Sequence, residues 1–139
     1  MNSPIPPSST KRILVVEDDK LMREVLEIAL ANGGFQVVPA AGGAEAVDLA
    51  RLIHFDLVIT DMIMPGMAGI ETIMALLAQD PGVKIVAISG VQAGSIRDFL
   101  PLAKSLGAAA VLRKPFDRES FIGTVRGVLE QNERRMVGS

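Results

Sequence analysis

Two hydrophobic periodicities alternate five times along this chain, and nothing else in it constrains the fold as tightly. Short, β-branched apolar runs read as buried strands: "RILVV" at 12–16, "FQVVPA" at 35–40, "FDLVIT" at 55–60, "VKIVAIS" at 83–89 and "AAAVLR" at 108–113. Between them lie stretches with apolar residues at helical spacing. Leu21, Val25, Ile28 and Ala29 fall on one face of the first, which Gly33 and Gly34 end. Ala46, Val47, Ala50 and Ile53 mark the second, and "AGIETIMALLAQD", stopped by Pro81 and Gly82, the third. Pro101 fits the fourth helix only in its first turn, which leaves 94–99 as loop. Asp117 caps the last helix. This alternation implies an α/β (βα)5 doubly wound parallel sheet with helices on both faces. Ligands of such sheets bind at the carboxyl ends of the strands.

Composition agrees. A chain of 139 residues suggests one domain. Its hydrophobic content of 49% is too high for a disordered chain, and the lack of Trp and Tyr demands an aliphatic core. The absence of Cys excludes disulfides and thiolate metal sites, and favours a reducing compartment. A net charge of −2 argues against direct nucleic-acid binding. No apolar run approaches the roughly 20 residues that span a bilayer, so no membrane partner is expected. Residues 1–10 read as a flexible Pro- and Ser-containing arm, 11–132 as the domain and 133–139 as a short tail. The expected location is the cytoplasm.

The strand ends carry the chemistry. The first ends in Glu17-Asp18-Asp19, the third in Asp61, the fourth in Ser89-Gly90 and the fifth in Lys114-Pro115. Each has an ordinary explanation alone: Asp19 as a helix cap, Asp61 and Ser89 as turn residues, Lys114 as a solvated surface cation. Their gathering at the same end of neighbouring strands points to one shared site. Carboxylates crowded on a rim repel one another, so they favour a cation or a raised pKa. All-oxygen donors suit a hard ion, Mg2+ before Zn2+. Mg2+, an ammonium and a hydroxyl together neutralise and orient a phosphoryl group. Asp61 can then act as a nucleophile and form an aspartyl phosphate. Gly90 leaves space beside Ser89.

The segments "ILVVEDD", "DLVITDMIMPGMAG", "VAISG" and "RKPF" resemble the receiver domain of bacterial two-component response regulators, over residues 11 to about 130. The resemblance implies a flavodoxin-like sheet with strand order 2-1-3-4-5. It implies Glu17 and Asp18 as the acidic pair, with Asp18 the direct Mg2+ ligand, and Asp61 as phosphoacceptor and metal ligand. It also implies the Ile63 backbone carbonyl on the metal, Ser89 as switch hydroxyl, Lys114 on the phosphoryl group, and Pro115 after it, in this family often through a cis bond. The protein would not be an enzyme beyond its own aspartyl phosphorylation and dephosphorylation. Its donor would be a histidine kinase or histidine phosphotransfer protein, and its output a downstream protein partner or a phosphorelay step.

Several positions depart from the family pattern. Val111 stands three residues before the lysine, where many receivers carry an aromatic switch residue. The stretch from Ser89 to Lys114 is a few residues longer than in chemotaxis-type receivers. Ala68 occupies a place often held by Asp. Ile63 and Val91 are apolar where polar groups orient the attacking water, which predicts slow self-dephosphorylation. Ile63→Asn should shorten the half-life of the phosphorylated protein, and equal decay rates would refute the expectation. His54 sits at the opposite end from the acidic rim and is not read as a phosphoacceptor; Met62, Met64 and Met67 read as loop packing.

Three other readings compete. A haloacid-dehalogenase-like phosphatase needs a second Asp where this chain has Ile63. A phosphorylation-independent interaction domain would not need Asp18, Asp61, Ser89 and Lys114 intact. Since "QNERRMVGS" is too short for an output module, the chain reads as a stand-alone, single-domain receiver, with a fragment of a larger response regulator or hybrid kinase as the alternative.

Overall fold

The structure, a computed structural model, describes residues 10–62, 69–90 and 100–138, without the side chains of 100 and 132–138. Its elements are β1 (Arg12–Val16), α1 (Lys20–Asn32), β2 (Gln36–Ala40), α2 (Gly43–Leu52), β3 (Leu57–Asp61), α3 (Gly69–Gln79), β4 (Lys84–Gly90), α4 (Leu100–Leu106), β5 (Ala110–Lys114) and α5 (Arg118–Gly138). The strands form one parallel sheet in the order β2-β1-β3-β4-β5, as expected. Pro39 lies in β2, an edge strand, where a missing ladder donor is tolerated.

Alternation along each strand builds two cores. Leu14, Val16, Val58, Ile85 and Ala87 face one side and pack against Ala46, Val47, Ile73, Leu76 and Ala103 of α2, α3 and α4. Ile13, Val15, Leu57, Ile59, Val86 and Ile88 face the other, against Leu26, Ala29 and Leu30 of α1 and Phe121, Val125 and Val128 of α5. β3 is buried along its whole length. That burial fixes where its last residue, Asp61, emerges.

One face is corrected. Of the face Leu21, Val25, Ile28 and Ala29 that marks α1 in the sequence, only Ala29 is buried. The other three are 70%, 54% and 62% exposed, while Leu26 and Leu30 are buried beside Ala29. Helix α1 carries two adjacent apolar stripes, and sequence spacing does not rank them. The cap expectations hold. Asp19 Oδ1 accepts from the Leu21 N–H at 3.2 Å, Gly33 ends α1 with Gly34 at φ 92°, and Asp117 Oδ1 accepts from the Ser120 N–H at 2.7 Å. Pro101 occupies the first turn of α4. Helix α5 continues to Gly138, through most of the segment expected as a tail.

Candidate functional site

Register assembles the site. Val16 pairs with Thr60, so the next residues, Glu17 and Asp61, lie side by side at the ends of β1 and β3. Asp61 pairs with Ile88, and Gly90 with Lys114. Lys114 is therefore two strands away from Asp61, about 10 Å at the usual interstrand spacing. Its side chain spans that gap. Nζ donates to Asp61 Oδ2 at 2.7 Å and to Glu17 Oε1 at 3.3 Å. The stem passes Gly90, where an added Cβ would lie 3.6 Å from both Cβ and Cδ of Lys114. This is ordinary contact, so the small residue lets the lysine cross and alanine would still fit.

The pleat explains who meets whom. Glu17, Asp61 and Lys114 continue the phase of Val15, Ile59 and Leu112, on the α1–α5 side. Ser89 has the phase of Ala87, on the opposite side. Its buried hydroxyl donates to the Gly90 carbonyl at 3.4 Å. The structure thus brings Glu17, Asp18, Asp61 and Lys114 together, with Ser89 on the neighbouring strand end. The Lys114–Pro115 peptide is cis. Val111 is partly buried, packs in the α2–α4 core and pairs with Ala87. Met62 is buried in that core, as expected of packing. Ile63, Met64, Met67, Ala68, Val91 and the expected loop at 94–99 lie outside the described residues.

One oxygen each from Glu17, Asp18 and Asp61 lies within 4.8 Å of the other two. Three carboxylates facing one ammonium leave two uncompensated negative charges when all are ionised. A divalent cation with oxygen preference fits that set. The electrostatics say the same. Burial, then the hydrogen bond and charge of Asp61, push the Glu17 carboxyl up from 4.5 to about 7, against the Asp19 N–H and Lys114. Burial alone would lower the Lys114 ammonium, but Asp61 and Glu17 more than offset it and hold it above its usual value.

A pH dependence follows. Between 4.5 and about 7 the folded protein holds a proton on Glu17 that the unfolded chain has lost. Stability of the metal-free protein should therefore fall as pH rises through that window. A cation binding the same oxygens competes with this proton. Its affinity should rise about tenfold from pH 6 to pH 8. Calorimetric titration with Mg2+ at both values checks this, and an unchanged affinity would contradict it.

Two contributors are invisible to the motif reading. Gly69 opens α3 against the end of β3: a Cβ there would lie 2.5 Å from Met62 Cα and 2.6 Å from the Asp61 carbonyl oxygen. Arg23 donates from Nη1 to the Glu17 carbonyl at 2.8 Å.

The response regulator receiver domain family matches residues 13–126. This chain belongs to that family. It is 36% identical over 123 residues to the DNA-binding response regulator MtrA of Mycolicibacterium smegmatis, covering 88% of this chain and 52% of that protein. It is 29% identical over 122 residues to the cell cycle transcriptional regulator CtrA of Caulobacter vibrioides, covering 88% and 52%. The receiver spans about half the length of these curated relatives. The chemotaxis protein CheY4 of Vibrio cholerae superposes with a TM-score of 0.76 at 29% identity, covering 86% of this chain and 98% of that one. Phosphorylation and Mg2+ binding are typical of receiver domains, which are not enzymes in the sense of turning over a substrate pool. Among the described residues no helix is long and apolar enough to cross a membrane.

Proposed function

We propose that this receiver takes a phosphoryl group onto Asp61 from a histidine kinase or histidine phosphotransfer protein, in the presence of Mg2+. The observation that carries the reading is the Asp61 carboxylate, flanked by two further carboxylates and held at 2.7 Å by Lys114. An Asp61 oxygen attacks phosphorus as the bond to the donor's imidazole nitrogen breaks. The nitrogen leaves with the electron pair, and Asp61 becomes an acyl phosphate. Lys114 moves its donation to a phosphoryl oxygen, and the Ser89 hydroxyl supplies a second donor from the next strand. Glu17, Asp18 and Asp61 would hold Mg2+, which supplies charge neutralisation for the transferring group. Intact mass spectrometry after acetyl phosphate, with and without Mg2+, tests the reading.

The acceptor's neighbourhood suits a protein donor. Beside Lys114, a groove of about 410 Å3 runs between α1 and α5, lined by Met22, Val25, Ile28, Pro115 and Phe116. Its lining is largely apolar, the kind of surface that marks protein docking. Ile28→Glu should slow transfer from a protein donor at least tenfold, the order expected when a charge enters an apolar interface. Modification by acetyl phosphate, which needs no docking, should stay unchanged. Equal losses with both donors would remove this assignment. The downstream partner would respond to the loops and helix around the phosphorylated site.

A further inference from the structure

Arg23 has no part in the roles above, yet it closes the acidic turn from two directions. Its guanidinium donates to the Glu17 carbonyl at 2.8 Å and reaches the Asp18 carbonyl at 3.5 Å. Its own N–H donates to the Asp19 carbonyl at 2.9 Å, opening α1. On the other flank, the Glu17 N–H donates to the Ala40 carbonyl at 3.0 Å. The peptides carrying both acidic side chains are thereby pinned between β2 and the first turn of α1. Asp18 is exposed, so its position depends on this main chain rather than on packing around its side chain.

We infer that Arg23 is a positioning residue for the metal-binding carboxylates: its Nη1 fixes the Glu17–Asp18 backbone and so the directions in which their oxygens project. The inference rests on the proposed Mg2+ site. Both contacts come from Nη1, whose N–H groups face the two carbonyls while the planar guanidinium fixes their direction. Its charge works the other way. A cation beside the ligands repels Mg2+, so a field effect alone would make Arg23→Ala bind the ion more tightly. Positioning makes it bind more weakly, and the two accounts differ in sign.

The test is calorimetric titration of the full chain with Mg2+ for the wild type, Arg23→Ala, Arg23→Lys and Asp18→Asn. Weakening of about tenfold is expected for Arg23→Ala, as for other groups that orient ligands from behind. Arg23→Lys, which keeps the charge but ends one bond short of Nη1, should recover part of it. Phosphorylation by acetyl phosphate should show the same split: more Mg2+ needed for half-maximal rate, but a maximal rate within about twofold of wild type. Unchanged or tighter binding in Arg23→Ala overturns the inference. Should that variant fail to fold, Arg23→Lys decides, and a wild-type affinity there overturns it. If the wild type itself binds no Mg2+ and matches Asp18→Asn, the metal reading fails and the inference with it. Weakening confined to the Arg23 variants and Asp18→Asn supports both.

Discussion

Asp61→Asn is expected to abolish phosphoryl uptake: with acetyl phosphate and Mg2+ the wild type should gain one adduct, and the variant none. The amide is nearly isosteric with the carboxylate, so the buried end of β3 should still fit. What disappears is the nucleophilic oxygen and the charge facing Lys114 at 2.7 Å. The variant also removes the neighbour whose hydrogen bond and charge help raise Glu17. Glu17 should therefore titrate lower in Asp61→Asn, which NMR of the carboxyl carbon reads independently of any phosphorylation. Chelating Mg2+ should suppress the wild-type adduct. An adduct that persists in Asp61→Asn would place the acceptor elsewhere and sink the proposed chemistry.

Gly69→Ala should do more damage than its single methyl suggests. Helix α3 starts so close to the end of β3 that the methyl would overlap the Asp61 and Met62 backbone. These atoms are main chain, so relief requires moving the strand end that carries Asp61. Overpacking of this kind costs about 1–3 kcal/mol. Denaturant unfolding should show that loss, with phosphoryl uptake slowed alongside it. Gly123 is the control. It lies inside α5 with nothing within 4 Å of an added Cβ, so Gly123→Ala should gain about 0.5–1 kcal/mol and leave uptake unchanged. Equal stability of the two variants would refute the steric account.

The fold was legible because the central strands β1, β3 and β4 are buried on both faces and read as unbroken apolar runs. Strand order came from resemblance, not periodicity. The site was legible because its members sit at strand ends, where polar residues break those runs. Pleat phase, also present in the sequence, would have grouped Glu17, Asp61 and Lys114 and set Ser89 apart. The buried face of α1 was not legible, because Leu21, Val25 and Ile28 form as good a stripe as Met22, Leu26 and Leu30. Gly69 escaped because its requirement is a close approach between elements distant in backbone direction, not an unusual turn. Arg23 escaped because its partners are carbonyls, which no side-chain motif encodes.

The reach of Lys114 bears on how a signal could leave the domain without an aromatic ring at Val111. The lysine is anchored at the end of β5, on the sheet's edge, while its ammonium grips the centre. It acts as a strap across β4. Three residues past its anchor, Asp117 begins α5. The edge of the sheet is thus tied to Asp61 through this one side chain, whatever residue occupies position 111.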